Sequence, residues 1–266
     1  MTVLDNPVEI LKLLDKSNCG ECGEKTCVAF ASAVFQRQRS LAECPKVDPK
    51  ILEGILEEDQ TEKVVSDNRE EAIEELKKEV LNLDLPAVAE KINGRFSNGV
   101  LTVKILGKNF SVDTQGNLHS EIHINPWVAG PFLDYVVRSA GVQPTGNWVS
   151  LRELHGGRAQ YPLFKKRCEE PMKKVADESI ELFDYIVHVF DGKEVDQQFQ
   201  SDVSVVLNFL PLVPAMICYW SPEDGMGSSL NVFFDETADQ NLSIGSIFSL
   251  GAGFSQMIQK VAWRHM

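Results

Sequence analysis

Residues 18–45 read NCGECGEKTCVAFASAVFQRQRSLAECP and contain four of the six cysteines of the chain. The four cysteines are Cys19, Cys22, Cys27 and Cys44, separated by two, four and sixteen residues. Four thiolates can provide one ligand to each iron of a cubane cluster. The spacing therefore predicts a [4Fe–4S] cluster held by these four cysteines.

The residues around the cysteines suit an anionic cluster. Gly20 and Gly23 allow the loop to turn its backbone N–H groups toward the sulfur atoms. Cys27 is expected in the first turn of a helix, where the positive end of the helix dipole favours a thiolate. Pro45 follows Cys44 and prevents the preceding helix from resuming. These features favour the cluster interpretation.

Two other interpretations of the cysteines stay open. Structural zinc sites commonly bring their ligands in two short pairs, whereas Cys44 stands alone, sixteen residues after Cys27. A pair of disulfides would need an oxidising compartment. The N-terminus lacks the basic and apolar regions of a secretory signal, so a reducing cytoplasm is expected and disulfides are disfavoured. The spacing itself favours iron–sulfur over zinc.

Residues 18–45 resemble the four-cysteine [4Fe–4S] module of the large subunit of the corrinoid iron–sulfur protein. The same module occurs in the B subunit of the Rnf electron-transport complex and in reductases of anaerobes. The resemblance covers about residues 5–50 and includes all four cysteines, Gly20, Gly23, Phe30 and Pro45. It implies a [4Fe–4S] cluster but no particular reaction, because the module is fused to many different partners.

The charge of the chain excludes some functions. A formal net charge of -13 disfavours binding to nucleic acid or to anionic lipid. Residues 51–84 contain twelve acidic and four basic residues, typical of a solvated helix face and linker, or of a docking patch for a basic redox partner. No apolar run approaches the roughly 20 residues of a membrane-spanning helix. The sequence predicts a soluble cytoplasmic protein.

Hydrophobic periodicity predicts an α+β protein, with a small helical cluster module followed by a larger mixed α+β domain. The expected boundaries are 1–50 for the module, 51–84 for an acidic helical linker and 85–266 for the domain. Helices are expected at about 7–15, 26–39, 68–83, 86–92, 126–139, 164–174, 179–190 and 246–263. Strands are expected in a hairpin around 107–109 and at 203–211, 215–220 and 229–235.

The second domain resembles an uncharacterised domain found behind this cluster module in anaerobic bacteria and archaea. The stretches that carry the resemblance are PTGNWVSLRELHGGRAQYPLFKKR, VVLNFLPLVPAMICYW and NVFFDETADQNL, at residues 144–167, 205–220 and 231–242. The resemblance implies an anaerobe and a redox setting, without an established reaction.

The densest polar and glycine-rich segment of that domain spans residues 153–161. A Gly-Gly turn flanked by His155 and Arg158, with Tyr161 nearby, could bind an anionic ligand. The alternative is an ordinary turn in which Arg158 forms a surface salt bridge. These three residues are the candidate ligand loop.

Other polar residues carry weaker expectations. Asp235 and Glu236 could form a paired-carboxylate site or simply cap a strand, and His119 and His123 lack a third metal ligand. Cys218 is expected to be buried, while Cys168 is expected to be partly exposed and not a ligand. The sequence contains no nucleotide-binding loop and no nucleophile motif.

The sequence therefore predicts an iron–sulfur protein that transfers electrons at low potential in an anaerobe. The expected partner is a redox protein, such as a corrinoid protein undergoing reductive activation. Two alternatives remain: a redox enzyme with a small-molecule site in the second domain, or a module in which the cluster only supports the fold. Whether the protein is itself an enzyme is left open.

Overall fold

A computed structural model describes residues 7–36, 39–48, 51, 69–223 and 225–265, and side chains up to residue 262. The chain divides into two compact units, Met1–Arg69 and Glu70–Met266. Among the described residues, no helix is long and apolar enough to cross a membrane. Each unit is described by itself.

The first unit is a small helical module. Its described elements are α1 (Pro7–Lys12), α2 (Cys27–Phe35) and a 3₁₀ turn (Leu41–Glu43). Helices α1 and α2 pack against each other through Ile10 and Phe30, both fully buried. Helix α2 ends at Phe35, earlier than expected, and residues 37–38 of the expected helix lie outside the described part.

The second unit contains most of the regular structure. Its helices are α3 (69–80, as far as it is described), α4 (Leu85–Lys91), α5 (Pro126–Arg138), α6 (Gly157–Phe164), α7 (Glu170–Glu178), α8 (Glu181–Val189), α9 (Ala238–Asn241) and α10 (Ile244–His265). Its strands are β1 (Arg95–Ser97), β2 (Val100–Ile105), β3 (Lys108–Asp113), β4 (Leu118–Ser120), β5 (Trp148–Ser150), β6 (Lys193–Glu194), β7 (Val203–Leu210), β8 (Val213–Trp220) and β9 (Ser229–Asp235).

The strands form two antiparallel sheets, in the orders β1-β2-β3-β4 and β5-β9-β8-β7-β6. The hairpin between β2 and β3 turns on Leu106 and Gly107, whose φ angles are 49° and 76°. Two positive φ angles are what a tight two-residue hairpin turn requires. The loop expected at residues 107–109 is therefore shorter, because Lys108 and Asn109 already belong to β3.

The core of the second unit lies between helices and one face of the five-stranded sheet. Phe234 of β9 packs against Phe164 of α6, with ring centroids 6.0 Å apart. Phe209 of β7 packs against Phe254 of α10 at 5.5 Å. Leu76 and Val80 of α3 are buried in the same core. Separate helices and antiparallel strands confirm the expected α+β class.

Helices α6 and α7 are joined by a π-helical turn, Lys165–Glu169. Such a turn leaves backbone groups without their usual partners. The carbonyl oxygen of Cys168 accepts a hydrogen bond from Ser255 Oγ of α10 at 3.0 Å. The helical region extends from Gly157 to Glu178 and begins seven residues before the expected start at residue 164.

Candidate functional site

The four cysteines of the module have different environments. Cys27 and Cys44 are buried in the module core, at 8% and 7% exposure. Cys22 is partly buried against that core, and Cys19 is exposed. The four cysteine side chains therefore extend from the core of the module to its surface.

The cysteine loop has a distinctive backbone. Gly20 and Gly23 have φ angles of 76° and 85°, and Lys16 and Asn18 are also left-handed, at 60° and 52°. The N–H of Gly23 donates to the carbonyl of Gly20 at 3.0 Å. Left-handed residues interspersed in a loop turn successive N–H groups toward one side, a geometry that accommodates anions. The glycines thus have the backbone conformation expected for a cluster loop.

Cys27 is the first residue of α2. Thr26 caps the helix by accepting a hydrogen bond from the N–H of Ala29 at 3.1 Å. The N–H of Cys27 donates to Asn18 Oδ1 at 2.8 Å, which ties the helix start to the beginning of the cysteine loop. The positive end of the α2 dipole lies at this position.

Cys44 follows a short, strongly capped turn. Ser40 and Glu43 form a reciprocal capping box, in which the N–H of Ser40 donates to Glu43 Oε1 at 2.8 Å. The N–H of Cys44 donates to the carbonyl of Leu41 at 3.2 Å. These bonds fix the segment that carries the last cysteine.

Two basic residues lie beside the cysteine loop, and the sequence analysis missed both. The charge of Cys19, followed by that of Asp15, raises the pKa of Lys46. A Cβ atom at Gly23 would be 3.2 Å from Arg39 Nη2, so this guanidinium lies against the loop. Both bases lie within five residues of Cys44 in the sequence, but their position beside the loop depends on how the chain folds back on it.

The donor set of the module determines which group it could hold. Among the described residues, no three His, Cys, Asp or Glu side chains are gathered closely enough to hold one metal ion. A four-iron cluster makes a different demand, because each thiolate binds its own iron. Four cysteines on a left-handed loop, a helix start and a capped turn, with two cations beside them, fit an anionic cluster.

The candidate ligand loop of the second unit has structural roles for several of its residues. His155 and Arg158 are exposed, and the N–H of His155 donates to Asp239 Oδ2 at 2.7 Å. Gly157 is buried, and a Cβ there would be 1.7 Å from the carbonyl oxygen of Leu151. Close packing, rather than ligand approach, thus accounts for Gly157.

Tyr161 points to a buried carboxylate. Its hydroxyl donates to Glu169 Oε2 at 3.3 Å, and the guanidinium of Arg152 lies 5.7 Å from the ring centroid. Burial raises the pKa of Glu169, and burial also raises that of Tyr161. The cation beside the Tyr161 ring is Arg152, which the sequence analysis did not single out.

The other polar candidates support loops. Asp235 accepts hydrogen bonds from Gly146 and Thr237, and Glu236 accepts from Thr145 and Asn147. These bonds match the strand-end alternative. His119 lies 3.2 Å from Asp113, and His123 is exposed.

The remaining two cysteines are both buried. Cys218 is buried as expected, whereas the expected partial exposure of Cys168 is wrong. The π-helical turn directs Cys168 into the core, where its thiol donates to the carbonyl of Gly251 at 3.2 Å. Burial raises the pKa of Cys168 well above its ordinary value.

Two family models match the chain, one over the cysteine module and one over the second unit. Residues 14–46 match a family model described as "Putative Fe-S cluster", which makes the chain an iron–sulfur protein. Residues 84–257 match the model of a domain of unknown function, DUF3786. This match covers well over half of the chain, so the chain belongs to the DUF3786 family.

The curated relatives named here match the N-terminal region of the chain. The gamma 1 subunit of the acetyl-CoA decarbonylase/synthase complex of Methanosarcina thermophila is 48% identical over 42 residues, which are 16% of this chain and 9% of the length of that subunit. The corrinoid/iron-sulfur protein large subunit of Moorella thermoacetica is 46% identical over 48 residues, which are 18% of this chain and 11% of the length of that subunit. The chain thus spans about a tenth of these relatives. No solved structure matches.

Proposed function

We propose that the protein is an electron-transfer protein of an anaerobe, with a [4Fe–4S] cluster bound by Cys19, Cys22, Cys27 and Cys44. The observation that carries the proposal is the loop built around these cysteines. Left-handed Gly20 and Gly23, the start of α2 at Cys27 and the capped turn before Cys44 all favour a cluster that carries a net negative charge together with its four thiolates. When bound, such a cluster accepts and donates single electrons.

The residues of the module have separable tasks in this proposal. Cys27 and Cys44 anchor the group in the apolar core, while the exposed Cys19 is the side from which a partner would approach. Lys46 and Arg39 offset part of the negative charge at this edge. Burying that charge without nearby cations would be costly.

The partner in this proposal is a redox protein in the cytoplasm, with a corrinoid protein that needs reductive activation as the first candidate. The relatives of the N-terminal region support this choice, since one is a corrinoid/iron-sulfur protein subunit and another a subunit of an acetyl-CoA decarbonylase/synthase complex. The domain limits proposed are 1–50, 51–84 and 85–266.

Anaerobic purification of the full chain tests the proposal. We expect a brown protein with about four irons and four sulfides per chain. Dithionite should bleach it and give a spin-½ signal in electron paramagnetic resonance. The reduced protein should then convert a cob(II)alamin-loaded corrinoid protein to the cob(I) form, followed by absorbance.

Two outcomes separate the parts of the proposal. Stoichiometric zinc without sulfide would overturn the cluster. A reducible cluster that passes no electron to the corrinoid protein or to other low-potential carriers would leave the cluster in place and remove the electron-transfer role. Cys27→Ser should lower the iron and sulfide content. The matched variant Cys218→Ser should not, because only the first removes a proposed ligand.

A further inference from the structure

A groove with a volume of about 370 Å³ opens at the end of β8 in the second unit. Trp220 pairs with Ser229 in the ladder, and Asn231 lies two residues farther along β9 on the same face. The loops on either side complete the walls. The lining residues used below are Trp220, Asn231, Gln200, Asp202, Glu223 and Met226.

One wall of the groove is built from strained backbone. Phe199 and Gln200 are consecutive non-glycine residues with φ angles of 52° and 58°, a left-handed conformation that residues with a side chain disfavour. The ring of Phe199 stacks on Phe233 at 4.5 Å, and Ser201 bonds Ser204 at 2.7 Å. These contacts hold the strained pair in place and set Gln200 at the groove.

The groove combines an aromatic wall with negative charge. Trp220 is half-buried, whereas Asp202 and Glu223 are exposed. Asp202 Oδ2 accepts a hydrogen bond from the N–H of Ser221 at 2.6 Å, which fixes that carboxylate. None of the described lining residues is basic. The walls therefore suit a cation that also has a flat face.

A guanidinium group meets these requirements best. It stacks on an indole ring, pairs with carboxylates through its fork of N–H donors, and can donate to the amide oxygens of Asn231 and Gln200. Met226, 72% exposed, offers an apolar surface for the methylene stem. An ammonium group lacks the planar fork and fits less well.

We propose that this groove is a docking site for an arginine side chain presented by a partner protein. The groove is open, which suits a segment on a protein surface. Residues 85–266 contain twenty acidic and fifteen basic residues, so the surrounding field also attracts a basic partner. The proposal does not depend on the cluster, because every residue used lies in the second unit.

The probe is the peptide acetyl-Gly-Ala-Arg-Ala-Gly-amide, titrated calorimetrically into the full anaerobic protein. The citrulline peptide, which has the same shape without the charge, should bind about tenfold more weakly or worse. Glu223→Gln should weaken binding of the arginine peptide several-fold, while Glu90→Gln, which removes the same charge from an exposed position of α4, should not. Ser229→Arg places a guanidinium in the groove from within and should abolish binding.

Specific outcomes would overturn the proposal. Equal affinity for the arginine and citrulline peptides would exclude recognition of the charge. Equal losses in Glu223→Gln and Glu90→Gln would reduce the effect to the overall field of the protein. If free arginine methyl ester binds as tightly as the peptide, the groove takes a small cation and is not a docking site. Circular dichroism confirms that each variant is folded.

Discussion

The core of the cysteine module contains nine buried residues among those described, and two of them, Cys27 and Cys44, are proposed cluster ligands. The core of the second unit joins helices to sheets through aromatic contacts such as Phe164–Phe234 and Phe209–Phe254. A small core that includes ligands gains much of its stability from what they bind. A large core does not depend on a ligand in this way.

The two regions also differ in charge. Residues 1–50 contain seven acidic and seven basic residues, whereas residues 51–84 contain twelve and four. The acidic excess of the chain therefore lies outside the module. Long-range attraction of a basic partner would come from the rest of the chain, and contact at the module would depend on shape and apolar surface.

The largest expected effect comes from removing the proposed ligands. Replacing Cys19, Cys22, Cys27 and Cys44 together by Ala should unfold the module, because its small core loses the bound cluster. The second unit should keep a cooperative thermal transition of its own. Hydrogen exchange measured by mass spectrometry resolves the two regions.

The control for that experiment is Cys168→Ala with Cys218→Ala, which removes thiols only from the second unit. This variant should retain iron and sulfide. A single transition shared by both regions and unchanged by cluster loss would contradict the comparison.

In the second unit, the largest single effect is expected at Gly157. In Gly157→Ala, the new methyl group would meet the carbonyl oxygen of Leu151 at 1.7 Å, so the backbone must shift. We expect the free energy of unfolding to fall by about 3 kcal/mol. The matched control, Gly227→Ala, meets no atom within 4 Å and should change stability little. Denaturant titration compares the two.

A smaller effect is expected from the buried Glu169. Burial raises its pKa above the ordinary value, so the folded state favours the protonated form. This contribution is fully present below the ordinary pKa and is lost as the pH rises through the raised value. Glu169→Gln should remove that loss. The difference between the melting temperatures of variant and wild type should therefore grow as the pH rises above the ordinary pKa of a glutamate. Parallel curves would contradict this.

Lys46 should have a modest effect on the module. Removing a cation near Cys19 stabilises the oxidised, less negative cluster. Lys46→Gln should therefore lower the reduction potential on the order of 10 mV, since solvent screens exposed charges. Lys12→Gln provides the control, because Lys12 pairs with Glu9 on α1. Equal potentials in wild type and both variants would remove this role.

The smallest effect is expected at Arg158, which is exposed on α6. Arg158→Ala should change the free energy of unfolding by no more than about 0.5 kcal/mol. If His155, Arg158 and Tyr161 form an anion site, the same variant should lose affinity for inorganic phosphate, measured by calorimetry. Phosphate affinity equal to that of wild type would remove the site.

Sequence patterns predicted the longest elements best. Strands β7, β8 and β9 and helix α5 lie where hydrophobic periodicity placed them. The short strands β5 and β6 were missed, because two or three residues carry no readable period. The boundaries around residues 157–178 were also missed, since a π-helical turn interrupts the 3.6-residue repeat.

For the site, the cysteine spacing and the glycines were visible in the sequence. The positions of Lys46 and Arg39 were not, because they depend on how the chain folds back on the loop. The capping pattern at residues 40–43 was readable and was overlooked. Tyr161 was a candidate from the sequence, whereas its partner Glu169 was not, because Glu169 belongs to no sequence motif and meets Tyr161 only through a tertiary contact.

 The hydrogen bond between Tyr161 and Glu169 spans the π-helical turn, so the pair is visible only in the folded chain.

The π-helical turn at Lys165–Glu169 has a further consequence for how this domain tolerates change in length. A wide turn holds one residue more than an α-helical turn, as if a single residue had been inserted without breaking the helix. The insertion lets Cys168 face Gly251 of α10 while Glu169 accepts the N–H of Val232 in β9. Deleting one residue here would restore a regular helix, but it would rotate α7 by about 100° relative to α6. The irregular turn thus keeps two helical segments in phase with two different neighbours.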